Sequence, residues 1–327
     1  MRRRVILQSL EFRLGAKLEN LFSWSKSRHE KFSSCERAYF YHYYLSWGGW
    51  EKEAPPRVKE LYRLKKLTNR YAWAGNAVHE VIRESLLRWL ALQPVAAETL
   101  LARVHTRMRQ EFADSRDGLC GMQSGKSRFG GLAEHENKVE LTAQAWRSNW
   151  QTVEAAWKHF MASAWPRVFQ ALRREQVLEA DSKDFDSSFF ELDGIRVFAM
   201  PDVAFIDSSG SLQIVDWKTG SPNEGNLEQV VGYALFMEAR HGVPAQGAKV
   251  RLVYLNHEAE EAFEVDEVAI QNFRAFFKAS TAAMQAKLLE VSSNTAKEES
   301  HFPKTQEKGR CTLCPFFKVC NFGFPGG

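Results

Sequence analysis

No apolar run in the chain approaches the roughly 18 residues that a bilayer-spanning helix needs. The start, Met1-Arg2-Arg3-Arg4 followed by Val5-Ile6-Leu7, carries too short an apolar stretch for a secretory signal. Internal repeats are lacking as well. Cysteines number only five, at 35, 120, 311, 314 and 320, and net charge is a mere +4. These absences set aside membrane spans, repeat arrays and a disulfide-stapled secreted scaffold, and lead to the expectation of a soluble cytoplasmic protein in which disulfides do not form. What is present, 44% apolar and 26% charged residues over 327 positions, matches an ordinary globular protein and excludes disorder, collagen and a pure coiled coil. The length admits one large domain or two small ones.

Charge is unevenly spread. Residues 1–90 hold 18 Lys and Arg against 9 Asp and Glu, which leaves the remaining 237 residues net acidic. Between Arg57 and Arg70 six basic residues (Arg57, Lys59, Arg63, Lys65, Lys66, Arg70) and one acid alternate with Val58, Leu61, Leu64 and Leu67. The spacing predicts a helix with one basic face, either simply solvated or a footprint for a polyanion.

Residues 23–46 read as helix, with Ser27 and Glu30 at capping-box spacing and Phe32, Cys35, Tyr39 and Phe40 on one stripe. Pro55-Pro56 breaks the chain. A second helix is expected over 74–92 on Val78, Ile82, Leu86 and Leu90. Residues 97–175 are mostly helical in pattern around a loop at 117–131. From 175 to 218 short β runs form a meander; 226–240 is helix, 249–255 strand and 266–289 helix. The fold class is therefore α/β carrying an α-helical insertion.

The densest information lies at 195–219. Ser208-Ser209-Gly210 is a turn by composition, so Phe205-Ile206-Asp207 leading into it and Leu212–Lys218 leading out form a hairpin. Pairing Asp207 with Ser211 sets Asp202 opposite Asp216, with Lys218 two residues along on the same face. Facing carboxylates repel and call for a cation between them, for which hard oxygen donors favour Mg²⁺ or Mn²⁺. The plainer reading is two surface acids and a strand-end lysine, and a one-residue slip would undo the pairing.

Met200-Pro201-Asp202 and Asp216-Trp217-Lys218-Thr219-Gly220, followed by a helix bearing Gln229 and Tyr233 one turn apart, resemble the signature of the PD-(D/E)XK nuclease superfamily in its RecB-like form. Upstream, Gly75-Asn76-Ala77-Val78-His79-Glu80 is similar to the helix that carries an extra metal-ligating histidine in those nucleases, although a lone histidine on a helix is more commonly structural. Glu179 loosely resembles the acid of their first core strand. The resemblance implies a restriction-endonuclease-like core, a central mixed sheet flanked by helices, and phosphodiester hydrolysis of DNA by a single-strand or end-directed exonuclease. His79, Asp202, Asp216 and the Trp217 carbonyl would hold Mg²⁺ or Mn²⁺; Lys218 would orient the attacking water; Gln229 and Tyr233 would support Lys218 or touch the strand. The alternative is an inactive DNA-binding scaffold subunit of a nuclease complex.

Cys311-x-x-Cys314, then Cys320, reads as a metal or cluster site lacking one ligand. Cys35 is the candidate fourth, since Phe32-Ser33-Ser34-Cys35-Glu36-Arg37 resembles the N-terminal cysteine segment of the iron-sulfur subgroup, the AddB-type and CRISPR-associated exonucleases. That likeness implies a [4Fe-4S] cluster; the spacing equally permits zinc. Such a site would staple both ends of the chain, expected to be otherwise poorly anchored. Cys120 matches nothing. Gly121-Met122-Gln123-Ser124-Gly125-Lys126-Ser127 resembles a phosphate-binding loop but lacks the preceding strand and the first glycine; Lys126 and Arg128 are read instead as a basic loop near nucleic acid.

The expected organisation is one compact domain: 1–95 with the first cysteine and motif histidine, 96–175 the insertion, 176–300 the nuclease core, 301–327 the cysteine segment. Tyr41, Tyr43, Tyr44 and Trp47 could stack on bases or simply pack. A helicase, recombinase or defence-complex protein is the expected partner, and no membrane.

Overall fold

The computed structural model describes residues 19–120, 129–180, 189–222 and 227–322. The loop containing Lys126 and Arg128 lies outside the described residues.

A strand, β1 (Ser23–Ser25), leads into helices α1 (Lys26–Ser34) and α2 (Glu36–Phe40), then a π turn at Tyr41–Leu45. The single helix expected at 23–46 is thus divided. Ser25, not Ser27, caps α1 by accepting from the Arg28 N–H, and no capping box forms at Ser27 and Glu30. Cys35 breaks the path with an extended backbone (φ −164°), and its sulfur accepts from the Ala38 N–H at 3.5 Å to start α2.

Helices α3 (Pro56–Leu64) and α4 (Arg70–Leu90) are separate, because Asn69 caps the second by accepting from the N–H groups of Tyr71 and Ala72. The basic run 57–70 therefore does not make one basic face. Acids also pair with two of its six cations: Arg57 with Glu299, and Arg63 with Glu60 and Glu136. Arg70 bonds the Asn149 side chain and the Ala145 carbonyl.

The stretch expected as an insertion supplies α5 (Ala97–Arg116), α6 (Ala143–Ala162) and α7 (Trp165–Ala171). Then follow β2 (Val177–Ala180), β3 (Phe189–Leu192), β4 (Ile195–Phe198), β5 (Val203–Ile206), β6 (Leu212–Lys218), α8 (Leu227–His241), β7 (Lys249–Tyr254), β8 (Ala259–Glu264) and α9 (Glu267–Gln285). The expected meander is split between two sheets. Strands β3 and β4 join β1 in order β1-β4-β3, whereas the main sheet runs β2-β5-β6-β7-β8. That sheet is mixed: β6 and β7 are parallel and its other neighbours antiparallel. A parallel pair needs a crossover, and α8 supplies it.

β6 is buried along nearly its whole length, including Gln213, whose amide donates to Asp207, while β8 alternates as an edge strand does. On one face of the sheet Ala204, Ile214, Val250 and Leu252 pack on α8 and α9 through Val230, Phe236, Phe273 and Phe277. On the other, Val203, Phe205, Val215 and Trp217 pack on α4, α6 and α7 through Val78, Ile82, Trp157, Phe160 and Phe169. Both layers are needed to cover a two-sided sheet, so the fold is α/β, with a mixed sheet flanked by helices. No helix among the described residues is long and apolar enough to cross a membrane.

Residues 37–41 and 299–302 are held together by direct contacts that involve no cysteine, which the sequence did not announce. Arg37 donates to the Phe302 carbonyl at 2.8 Å and to Glu299 at 2.7 Å, the Tyr41 hydroxyl also donates to Glu299, and Phe40 stacks on Phe302 with centroids 4.6 Å apart. Tyr41 is buried, and Tyr43 and Tyr44 surround Arg28. These three tyrosines are packing residues; Trp47 stays exposed.

Candidate active site

The β5–β6 hairpin pairs Val203 with Val215, Ala204 with Ile214 and Ile206 with Leu212. Its turn is held by Asp207 Oδ1, which accepts from the N–H groups of Ser209 and Ser211, and by Gly210 at φ +81°, a conformation that glycine takes without strain. This register brings Asp202, one residue before β5, across from Asp216 near the end of β6.

Each carboxylate has its own protein partners. Asp202 Oδ1 lies 2.8 Å from His79 Nδ1, presented by α4, and Asp202 Oδ2 accepts from the Trp217 backbone N–H at 2.8 Å. Trp217 contributes that N–H because its indole is boxed in on the opposite face by Phe160, Trp165 and Phe169. Asp216 is almost wholly buried. Its Oδ1 accepts from the Tyr233 hydroxyl at 2.9 Å, and its Oδ2 faces the Lys218 ammonium at 2.6 Å without a well-formed hydrogen bond. Lys218 donates to Gln229 Oε1 at 2.8 Å, and Gln229 Nε2 donates to the Tyr233 hydroxyl at 2.5 Å. Asp216, Lys218, Gln229 and Tyr233 form a closed ring of contacts. Gln229 and Tyr233 can both reach it because four residues return a helix to the same face.

The electrostatics follow from burial and like charge. Burial, then the charge of Asp202, raises the Asp216 carboxyl above the ordinary range, with Lys218 and His79 pulling the other way. Tyr233 is raised well above its usual value by burial and by the same two acids. For His79 burial pulls down, but the charge and hydrogen bond of Asp202, joined by Asp216, prevail and push it up to about 9.

Glu179 does not join this group. Its Oε1 is bound by Arg240 Nε at 3.0 Å and His241 Nε2 at 2.9 Å, at the C-terminal end of α8, about 10 Å beyond mid-helix Tyr233 at 1.5 Å per residue. The carboxylate is used in an ion pair that docks α8 on β2.

Cys35, Cys311, Cys314 and Cys320 line one cavity of about 320 Å³ together with Tyr41 and Phe316. All are free thiols. Burial pushes Cys314 up to about 11 despite the positive charge of Lys31. Cys120 lies elsewhere, beside Ser115 and Gly131. Among the described residues no group of three or more His, Cys, Asp or Glu side chains stands closely enough to hold a metal ion.

The sequence reading, which expected the Trp217 carbonyl to be a metal ligand, missed how Asp202 is oriented: the Trp217 backbone N–H donates to it. The signal was the aromatic residue between Asp216 and Lys218, whose side chain must leave on the opposite face. Among curated proteins the chain finds no match. A family model described as the PD-(D/E)XK nuclease superfamily matches residues 23–321, and with the fold and the Asp202, Asp216 and Lys218 grouping above, the chain belongs to that superfamily.

Proposed function

We propose that this chain is a divalent-metal-dependent deoxyribonuclease that hydrolyses phosphodiester bonds as a single-strand or end-directed exonuclease. Membership of the superfamily implies nuclease activity, generally metal-dependent; DNA as the substrate and Mg²⁺ or Mn²⁺ as the ion are our reading. The observation that carries it is the buried Asp216, facing Asp202 across the hairpin with the Lys218 amine fixed beside it.

The donor types, two carboxylates and an imidazole, suit a hard dication, and Asp216 Oδ2 is a buried oxygen lacking a well-formed hydrogen bond; to hold the ion His79, Asp202 and Asp216 would have to draw closer together than they stand in this structure. His79, Asp202, Asp216 and the Trp217 carbonyl would hold it, and when bound it supplies Lewis acidity and lowers the pKa of a coordinated water. The chain's own residues do the rest. Lys218, held between Asp216 and Gln229, orients the attacking water and offsets negative charge growing on the phosphoryl oxygens. Tyr233 fixes the rotation of Asp216, and His79 that of Asp202. The water oxygen bonds to phosphorus, the bridging ester oxygen departs with a proton, and the water's other proton passes to solvent.

The four cysteines belong to the same reading. They would hold a [4Fe-4S] cluster, with zinc as the alternative, in a structural role. Burial raises the Cys314 and Cys320 thiols, and the positive charges of Lys31 beside the first and of Lys304 and Arg37 beside the second offset only part of that rise, so binding such a group must displace protons. A cytoplasmic setting and a helicase, recombinase or defence-complex partner that delivers DNA ends complete it.

The test is digestion of single-stranded DNA with Mn²⁺ or Mg²⁺ and with EDTA. Asp216→Ala and Lys218→Ala should each abolish cleavage with the circular dichroism spectrum unchanged; full activity in either variant refutes the assignment. Anaerobic purification with an absorbance scan and iron and zinc analysis decides what the thiols hold.

A further inference from the structure

The N-terminal segment carries a buried charge that the site above does not use. Arg28, on α1, is 3% exposed, and no carboxylate among the described residues reaches it. Its Nη1 donates to Ser23 Oγ at 3.0 Å and its Nη2 to the hydroxyls of Tyr39 and Tyr44 at 3.2 and 3.1 Å, while Nε has no partner. The rings of Phe22, Tyr39, Tyr43 and Tyr44 lie 4.4–5.8 Å from the guanidinium carbon. Cation–π attraction offsets only part of the cost of removing an ion from water, and among the described residues the charge has no counter-ion.

Strand register adds a second cation. β1 runs parallel to β4 with Ser23 opposite Arg196, so the serine that binds Arg28 stands beside the strand position that carries Arg196, whose guanidinium lies over the Phe189 ring. Arg28, Arg196 and Lys65 line one cavity of about 310 Å³. Glu19 is the one acid among its described lining residues, and it ion-pairs with no described residue. His42, also in the lining, is held down to about 3 by burial and by the charges of Lys31, Lys65 and Arg28, a sign of the positive potential there. Trp47, 37% exposed, stands at the same cavity and offers a ring on which a base can stack.

We propose that this cavity is an anion site that takes a phosphate group of the nucleic acid strand. Phe198, in the lining, precedes Asp202 by four residues, so their Cα atoms stand no more than about 14 Å apart, within a few nucleotides of the acids. That the anion belongs to a nucleic acid rests on the nuclease reading; the cavity's demand for an anion does not. The phosphate is either a terminal monoester or an internal diester, and both present the same oxygens to guanidinium groups.

The test is fluorescence anisotropy in EDTA, which prevents cleavage, with one single-stranded oligonucleotide bearing either a 5′-phosphate or a 5′-hydroxyl. Wild-type chain is compared with Lys65→Gln/Arg196→Gln and with a charge-matched control, Arg274→Gln/Lys278→Gln, on the exposed face of α9. A parallel arm measures the rise in melting temperature given by inorganic phosphate. The Lys65/Arg196 variant should bind about tenfold more weakly with a salt slope shallower by about one, and phosphate should no longer stabilise it, while the control binds as wild type does. Loss confined to the 5′-phosphorylated strand assigns a terminal phosphate, and equal loss for both strands an internal one. Unchanged oligonucleotide affinity in the Lys65/Arg196 variant, or an equal loss in the control, overturns the site. Should wild-type chain bind neither strand while phosphate still stabilises it and not the variant, the anion site stands and the nucleic-acid reading falls.

Discussion

Tyr233 shows how much of this site depends on single hydrogen bonds. Its hydroxyl donates to Asp216 Oδ1 and accepts from Gln229, so Tyr233→Phe leaves one oxygen of a buried carboxylate unpaired, a loss of about 1–3 kcal/mol. The expected result is a drop in kcat of about tenfold with little change in KM, read in a steady-state digestion assay; an equal rise in KM with kcat intact would place Tyr233 in substrate binding instead. His79 gives a pH prediction. Its folded-state value, about 9, lies above the ordinary 6.5, so its pairing with Asp202 stabilises the metal-free protein fully below pH 6.5 and that contribution fades as pH rises through 9. Melting temperatures of wild type and His79→Gln in EDTA should therefore differ most near pH 6 and converge above pH 9. Ligation requires the neutral imidazole, so Mn²⁺ affinity of the wild type should increase over the same interval, measurable by calorimetry.

At the scale of elements, the hairpin was legible because its information is local. Turn composition, the two-residue period of strands and the positions of Asp202, Asp216 and Lys218 together specify one register. The one-turn spacing of Gln229 and Tyr233 was equally readable. What could not be read was non-local. Nothing in Ser23-Trp24-Ser25 announces a parallel partner at Arg196–Phe198, the strand β8 was missed because its alternation is that of a charged edge (Ala259-Glu260-Glu261-Ala262-Phe263-Glu264), and the basic run gave no sign that Glu299 and Glu136 would pair with two of its cations. The helices at 143–171 matched no motif, yet they box the Trp217 indole and so hold the N–H that orients Asp202. Phe160, fully buried, touches Trp89 of α4, Trp157 of its own helix and Trp217 of β6. Phe160→Ala should cost about 3–5 kcal/mol, seen as a lowered denaturant midpoint, and should slow cleavage even where the protein remains folded. Wild-type cleavage in the folded variant would mean that Asp202 is oriented without the Trp217 box.

Over the whole molecule, the two ends meet twice, once through ordinary contacts and once through sulfur. Arg37, Phe40 and Tyr41 clasp Glu299 and Phe302, and beyond that clasp the segment from Lys304 to Asn321 reaches the cavity lined by Cys35 and its three late partners. Three of the four thiols sit on the segment they would fasten, and its own elements are a short turn at Lys308–Leu313 and the six-residue helix α10 (Phe317–Phe322). So little local structure contributes little stability by itself. A group held by the thiols would therefore stabilise this segment far more than the sheet. Cys311→Ser/Cys314→Ser should abolish any bound iron or zinc, open residues 304–322 to limited proteolysis, and leave hydrogen exchange in β5, β6 and α4 as in the wild type. Because burial holds the Cys314 thiol at about 11, loading must displace its proton, and metal uptake by the reduced wild-type chain should rise with pH between 6 and 8. Global unfolding of the double variant would instead make the thiol-bound group a condition of the whole fold, with the Arg37 clasp too weak to hold the ends together.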